Sequence, residues 1–216
     1  MPDKLTRSLG SVVDDLWGAP VPRPSAAAGN AHAAAAPKPS APSFPPFEQL
    51  WKAVDETVDW TGVLAHDTPN DGLTSPEVWA LYRRHAAQVL AGEPEAYLAV
   101  LKAADPLRDL TPWAEKLDVA CRDADCLHVT VTLLPALLAR EGRRYPAGMC
   151  LRAARDLFAL LPVVRVEAEA VCDGKPLMQV PFERSELQKV RFAFVEPVAF
   201  VEQCGGAFLP DAQEQG

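Results

Sequence analysis

Long hydrophobic runs are missing from this sequence. The longest nearly apolar run, Val129–Ala139, is about half of the ~20 residues that a membrane-spanning helix needs. Near the N-terminus, Asp14 and Asp15 interrupt the chain before the hydrophobic core of a signal peptide can form. These absences predict a cytoplasmic protein that has no membrane as a partner.

Basic residues are also fewer than acidic residues, 21 against 29. The formal net charge is −8, and the first 46 residues hold four basic and three acidic groups, so residues 47–216 carry −9. A field of this sign repels the phosphate backbone of nucleic acids at long range. The charge argues against a nucleic acid as the main partner, and we expect the partner to be another protein.

Motifs of nucleophilic catalysis and of phosphate binding are absent. The sequence contains no Gly-x-Ser-x-Gly motif and no Gly-rich phosphate-binding loop. His66 lies beside Asp67, but no serine or cysteine is tied to them by spacing. The sequence favours a protein without enzymatic activity and predicts no cofactor.

The cysteines do not form a recognisable metal motif. Five cysteines, an odd number, lie within apolar stretches, as is typical of buried thiols in a reducing compartment. Cys121, Cys126 and His128 can all bind zinc, but a structural zinc site needs four ligands. We favour two half-buried thiols and a strand histidine, and we predict no bound metal.

The N-terminal residues 1–17 have the spacing of an amphipathic helix. Their apolar side chains recur at three- and four-residue intervals and form one stripe: Leu5, Leu9, Val12, Val13, Leu16 and Trp17. One interpretation is a recognition peptide that folds into a groove on a partner. The alternative is that the peptide docks onto its own domain or frays.

Two further regions are predicted before the α+β domain begins at residue 93. Residues 18–45 are rich in alanine and proline, which predicts a disordered linker. Residues 46–92 form a helical segment, in which 60–74 has the turn chemistry of a loop. A helix follows, because a Thr74 or Ser75 cap, Pro76 and the terminal Gly92 all agree.

The stretch 145–182 predicts a helix that leads into a β-hairpin. Apolar residues at helical spacing run to Pro162, which ends the helix. Between them lie Arg152, Arg155 and Asp156, which we expect on the solvent side of this helix. Alternating apolar residues then predict two strands joined by a tight turn at Asp173-Gly174.

The order of elements predicts an α+β domain over residues 93–205, followed by a loose tail at 206–216. The order is helix, two strands, helix, two strands and a short helix, for which Ser185 and Gln188 have the spacing of a capping box. Tight turns within each pair favour antiparallel hairpins. We therefore expect two layers, with a four-stranded antiparallel sheet and helices on one face.

Two clusters of charge offer functions of another class. Glu167, Glu169 and Asp173 follow one another as in a metal-dependent nuclease or phosphodiesterase, although Asp173-Gly174 is also an ordinary turn and the glutamates suit a solvated sheet face. Four arginines near one helix would suit an anion, whether nucleic acid or acidic peptide, although they also suit a solvated helix face that pairs with acidic residues. They are Arg143, Arg144, Arg152 and Arg155, with Arg140 just before them.

One region resembles a known kind of protein. The segments ARDLFALLP (154–162), VRVEA (164–168) and ERSEL (183–187) resemble a C-terminal module of uncharacterised bacterial proteins. The resemblance covers residues 145–200, implies a bacterial source and carries no activity. Together, these features predict a non-enzymatic interaction or accessory module of a bacterial cytoplasmic complex, with a tethered N-terminal recognition peptide.

Overall fold

A computed structural model describes residues 47–52, 57–69 and 74–209. The predicted recognition peptide, the linker at 18–45 and residues 210–216 of the tail lie outside the described residues. The described residues belong to one unit. No helix within them is both long enough and apolar enough to span a membrane.

Helices dominate the first part of the described chain. They are the 3₁₀ helix Phe47–Lys52, α1 (Trp60–Ala65), α2 (Pro76–Leu90), α3 (Pro94–Ala104) and the 3₁₀ helix Arg108–Trp113. The predicted start of α2 is confirmed, because the Ser75 hydroxyl accepts a hydrogen bond from the amide of Val78 at 3.3 Å. Asp105 then ends α3 in a left-handed conformation, with φ 45°.

The predicted loop at 60–74 is wrong over its first six residues, which form α1. The Asp59 carboxylate starts this helix by accepting from the amides of Thr61 and Gly62 at 3.1 and 3.0 Å. The indole of Trp60 donates to the carbonyl of Leu160 at 2.6 Å. A local cap and this long-range bond outweigh the turn-forming residues of the segment.

A five-stranded mixed sheet forms the second part of the chain. The strands are β1 (Ala114–Cys121), β2 (Cys126–Leu133), β3 (Arg165–Cys172), β4 (Lys175–Glu183) and β5 (Ala207–Phe208). The remaining helices are α4 (Pro135–Glu141), α5 (Arg144–Leu160), α6 (Arg184–Leu187), the 3₁₀ helix Phe192–Phe194 and α7 (Pro197–Gln203). The α+β class is confirmed.

The expected four-stranded antiparallel sheet needs correction. The strand order is β1-β2-β3-β4-β5, and both predicted hairpins are antiparallel, but β2 and β3 are parallel. The chain leaves β2 through α4 and α5 and re-enters the sheet at β3, a helical crossover that allows parallel neighbours. The fifth strand, β5, has only two residues and was not predicted; it pairs with Met178 and Gln179 of β4.

Two local predictions have opposite outcomes. The Asp173-Gly174 turn is confirmed, with φ of 49° and 75°, the positive values that a type I′ hairpin turn requires. The capping box at Ser185 is wrong, because α6 begins at Arg184 and Ser185 lies inside it. Glu183 precedes α6, but its carboxylate accepts from Arg165 at 2.7 Å and does not cap the helix.

The central helix α5 is buried on both sides. It packs on β2, β3 and β4, and also against α7 and the 3₁₀ helix Phe47–Lys52. The expected solvent side is therefore wrong for Arg152 and Asp156, which are 4% and 1% exposed. Arg155 is half-buried. Elements distant in sequence cover this face, and periodicity along α5 cannot reveal them.

At Gly148 the 3₁₀ helix Phe47–Lys52 lies close against α5. A Cβ at this position would lie 2.8 Å from Cε3 of Trp51 and 3.2 Å from Cζ of Phe47. Both aromatic side chains are buried, so neither has room to move away. The missing side chain is what allows these rings to lie on the helix.

We predict that Gly148→Ala destabilises the protein, although the same change in an unobstructed helix stabilises it by about 0.5–1 kcal/mol. Overpacking against Trp51 should cost about 1–3 kcal/mol. Urea unfolding of the full chain measures the difference. In a Trp51→Leu background only the contact with Phe47 at 3.2 Å remains, so the added cost of the alanine should become much smaller. A stabilised single variant would contradict the packing.

Candidate functional site

The predicted nuclease carboxylates lie at separate places in the sheet. Glu167 and Glu169 lie on the face of β3 away from α5, and Asp173 lies in the β3–β4 turn. Arg122 pairs with Glu167 at 3.0 Å, and the Gln179 amide donates to Glu169 at 2.8 Å. Within the described ranges, no three His, Cys, Asp or Glu side chains are grouped to hold a metal ion. The nuclease alternative stays a prediction.

This open face carries a shallow depression of about 400 Å³, lined in part by Arg122, His128, Glu169 and Gln179. In the sheet, His128 is in register with Glu167, and Thr130 is in register with Glu169. Acidic side chains of β3 therefore lie beside a histidine and a threonine of β2 on this face. Such pairs are typical of a solvated sheet face.

Cys121 and Cys126 lie at the two ends of the turn between β1 and β2. The thiol of Cys121 donates to the carbonyl of Asp123 at 3.2 Å, and that of Cys126 to the carbonyl of Leu127 at 3.6 Å. Burial raises the pKa of both thiols. Because the thiolate is the metal ligand and the nucleophile, this setting suits inert thiols.

Two of the predicted anion-binding arginines, Arg143 and Arg144, contact different segments of the chain. Arg143 lies 5.0 Å from the ring of Phe208, and Arg144 lies 3.3 Å from Glu48 and 5.2 Å from the ring of Trp51. Arg140 pairs with its neighbour Glu141. These contacts connect the start of α5 to the C-terminal segment and to the N-terminal 3₁₀ helix. Anion binding by the cluster stays a prediction.

Of the other two arginines of the cluster, Arg152 is buried and Arg155 is half-buried. Arg155 donates to the carbonyl of Trp51 and lies 3.8 Å from the ring of Phe192. Arg152 donates to Asp156, one turn further along α5, at 3.0 Å. The i,i+4 spacing of opposite charges was the sequence signal of this pair. Its burial has no local signal.

Arg184 is an important cation that sequence reasoning missed. Its guanidinium donates to the carbonyls of Val163 at 2.7 Å and Phe158 at 2.9 Å, and also to that of Leu161. Burial lowers the pKa of Arg184. The side chain thus satisfies the carbonyl of Phe158, which the last turn of α5 leaves without an intrahelical partner, and those of two residues that follow the helix. Its role is to close the helix.

The arrangement best suited to binding is found at the edge of the sheet. In the described part of the chain, β1 pairs with β2 and has no strand on its other side. A groove of about 420 Å³ lies between β1 and α3. Its apolar lining consists of Leu98, Leu101, Pro106, Leu107, Ala114, Leu117 and Val119, and its polar lining of Lys102, Asp105, Thr111, Glu115 and Lys116.

Side-chain burial shows that β1 is incompletely covered. On β2, the residues that face the helices, such as Val129 and Val131, are fully buried. Their partners on β1, Val119 and Leu117, are only half-buried. On the opposite wall, 44% of Leu98 is exposed. The groove therefore offers apolar surface directly beside an unpaired strand edge.

No protein-family model, curated protein or solved structure matches this chain. The resemblance of residues 145–200 to a bacterial module stays a prediction. The geometry of the described residues is accordingly the basis of the functional argument.

We predict that Asp156→Ala destabilises the protein by about 3–5 kcal/mol, because the buried Arg152 guanidinium loses its carboxylate. Urea unfolding with far-UV circular dichroism measures this. The double variant Arg152→Met/Asp156→Leu removes both charges and should recover most of the loss. A loss that is equal in the single and double variants would show that the pair is not the cause.

Proposed function

We propose that this protein is a non-enzymatic interaction module of a bacterial cytoplasmic complex, and that it binds protein through the exposed edge of β1. The observation that carries the proposal is the combination of an unpaired strand with an apolar groove beside it. The sequence-based argument for a partner protein, together with the acidic charge of the chain, supports the same conclusion.

The chemistry of such an edge is that of strand addition. An added strand forms main-chain hydrogen bonds with the outer amides and carbonyls of β1, which gives affinity. Every second side chain of that strand then points toward the groove, where Leu98, Leu117 and Val119 supply apolar contacts. Long exposed edges with apolar surface invite association, and proteins that remain monomeric usually cover or blunt them.

The N-terminal residues keep the role that their spacing predicts. The stripe from Leu5 to Trp17 is proposed as a second recognition element, attached to the module through residues 18–45. Under this proposal one chain connects two partners, one at the β1 edge and one at the peptide. Linking two modest contacts in this way raises the local concentration of each partner near the other.

We expect Val119→Lys to weaken binding of the protein that docks at β1 by at least about tenfold, since an inward-pointing charge blocks strand addition. The matched control is Ala120→Lys, which adds the same charge to the neighbouring exposed residue on the other face of β1. Quantitative affinity capture with the tagged full chain compares the two variants, and circular dichroism confirms their folding. Equal retention of every bound protein by both variants, with a co-expressed untagged copy of the chain counted among them, would refute docking at this edge.

Deleting residues 1–18 tests the second recognition element. We expect this deletion to remove a different group of bound proteins from that lost with Val119→Lys, because the two elements are proposed to act on separate partners. The same capture experiment measures both groups. An unchanged set of bound proteins after the deletion would assign no partner to the peptide and leave docking at β1 unaffected.

A further inference from the structure

Opposite charges flank Leu117 on β1. Lys116 and Asp118 are in register with Thr132 and Thr130, with Leu117 between them on the groove side, and Lys116 also lines the groove. Their side chains pair with each other at 2.7 Å and are 66% and 51% exposed. Ala120 is the next position along the open face, and on the other side of Lys116 a bulge between Ala114 and Lys116 leaves the exposed Glu115 outside the regular pairing.

This arrangement makes β1 complementary to a second copy of itself. In an antiparallel pair centred on Leu117, Lys116 of each copy lies directly opposite Asp118 of the other. Two cross-strand ion pairs then form on the open face, where opposite charges stabilise the pairing. On the groove side, the two Leu117 side chains meet.

Other registers can also keep the open faces of the two strands on the same side of the joined sheet. In the nearest of these registers, opposite charges do not lie opposite each other. Centring the pair on Lys116 places two lysines opposite each other, and centring it on Asp118 places two aspartates opposite each other. Like charges that are directly opposite destabilise a strand pair. A shift by one residue would instead bring open-face residues against groove-side residues, because side chains alternate along a strand. The charges therefore select one register.

We propose that two copies of this chain associate by antiparallel pairing of β1 with β1, centred on Leu117, so that their sheets become continuous. This inference rests on the proposed role of β1 as the docking edge and names its partner as a second copy. The dimer joins the two grooves across the axis and covers the half-buried Leu117 side chains. Every copy uses the same surface, as a closed twofold dimer requires.

Two alternatives to self-pairing, an edge that stays unpaired and an edge that binds a different protein, give different experimental results. Lysine on an edge strand is one of the devices by which proteins prevent association. If Lys116 has that role, the full chain remains a monomer. If the edge binds a strand of a different protein, the full chain also remains a monomer, but Val119→Lys releases that protein.

Exchanging the charges of residues 116 and 118 distinguishes self-pairing from these two alternatives. Sedimentation equilibrium of the full chain should show a dimer. Lys116→Asp alone replaces both cross-strand ion pairs with repulsion and should raise the dimer dissociation constant by at least about tenfold. Adding Asp118→Lys restores opposite charges between copies, so the double variant should return to within about threefold of the wild-type dissociation constant. A binding site on any other protein would not be restored by this exchange.

A cross-link tests the register. Leu117→Cys places the two new thiols directly opposite each other, and a short bis-maleimide should link most of the chains as dimers. Ala120→Cys is the control, because position 120 lies away from the twofold axis in each copy and its two thiols are therefore far apart. Circular dichroism of each variant confirms folding, and the wild type gives the background from its own five cysteines.

The inference is overturned if the full chain sediments as a monomer at all concentrations, if the charge exchange fails to restore association, or if the two cysteine variants cross-link equally. A monomeric chain that loses a different protein on Val119→Lys would keep the proposed function and overturn only the identity of its partner.

Discussion

The burial of α5 on two sides is the constraint on which the rest of the structure depends. The helix packs on β2, β3 and β4, and also against α7 and the 3₁₀ helix Phe47–Lys52. Two charged side chains, Arg152 and Asp156, are buried on it and form an ion pair. Gly148 supplies the space that the ring of Trp51 needs. The helix can hold both layers only because it combines a paired charge with a missing side chain.

The local elements were predictable because their signals are local. Ser75 with Pro76 marks the start of α2, and Asp173-Gly174 makes the turn between β3 and β4. The face of α5 that carries Arg152 was not predictable, because the residues that cover it lie far away in the sequence. The parallel pairing of β2 with β3 was not predictable for a similar reason. A tight turn fixes the relative direction of the two strands within a hairpin, but the relative direction of two hairpins depends on how the crossover between them packs.

In the candidate site, too, local features were predictable from the sequence and long-range contacts were not. The arginines near the start of α5 were visible as a cluster, yet the fold directs them to different segments, such as the ring of Phe208 and the carboxylate of Glu48. The groove beside β1 could not be read from the sequence, since it exists only where α3 meets the sheet edge. The spacing of Lys116 and Asp118 can be read from the sequence. It bears on pairing between copies only because β1 is an edge strand.

Pairing of β1 with β1 would change what the N-terminal residues can do. A monomer offers a single copy of the stripe from Leu5 to Trp17, so a partner that binds it weakly dissociates in one step. A dimer offers two copies that are held together, and a partner with two sites can bind the second without a new encounter. The affinity gained in this way depends on the reach of residues 18–45 and not on stronger contacts. A module whose sheet edge joins copies therefore suits assembly on repetitive or multivalent partners.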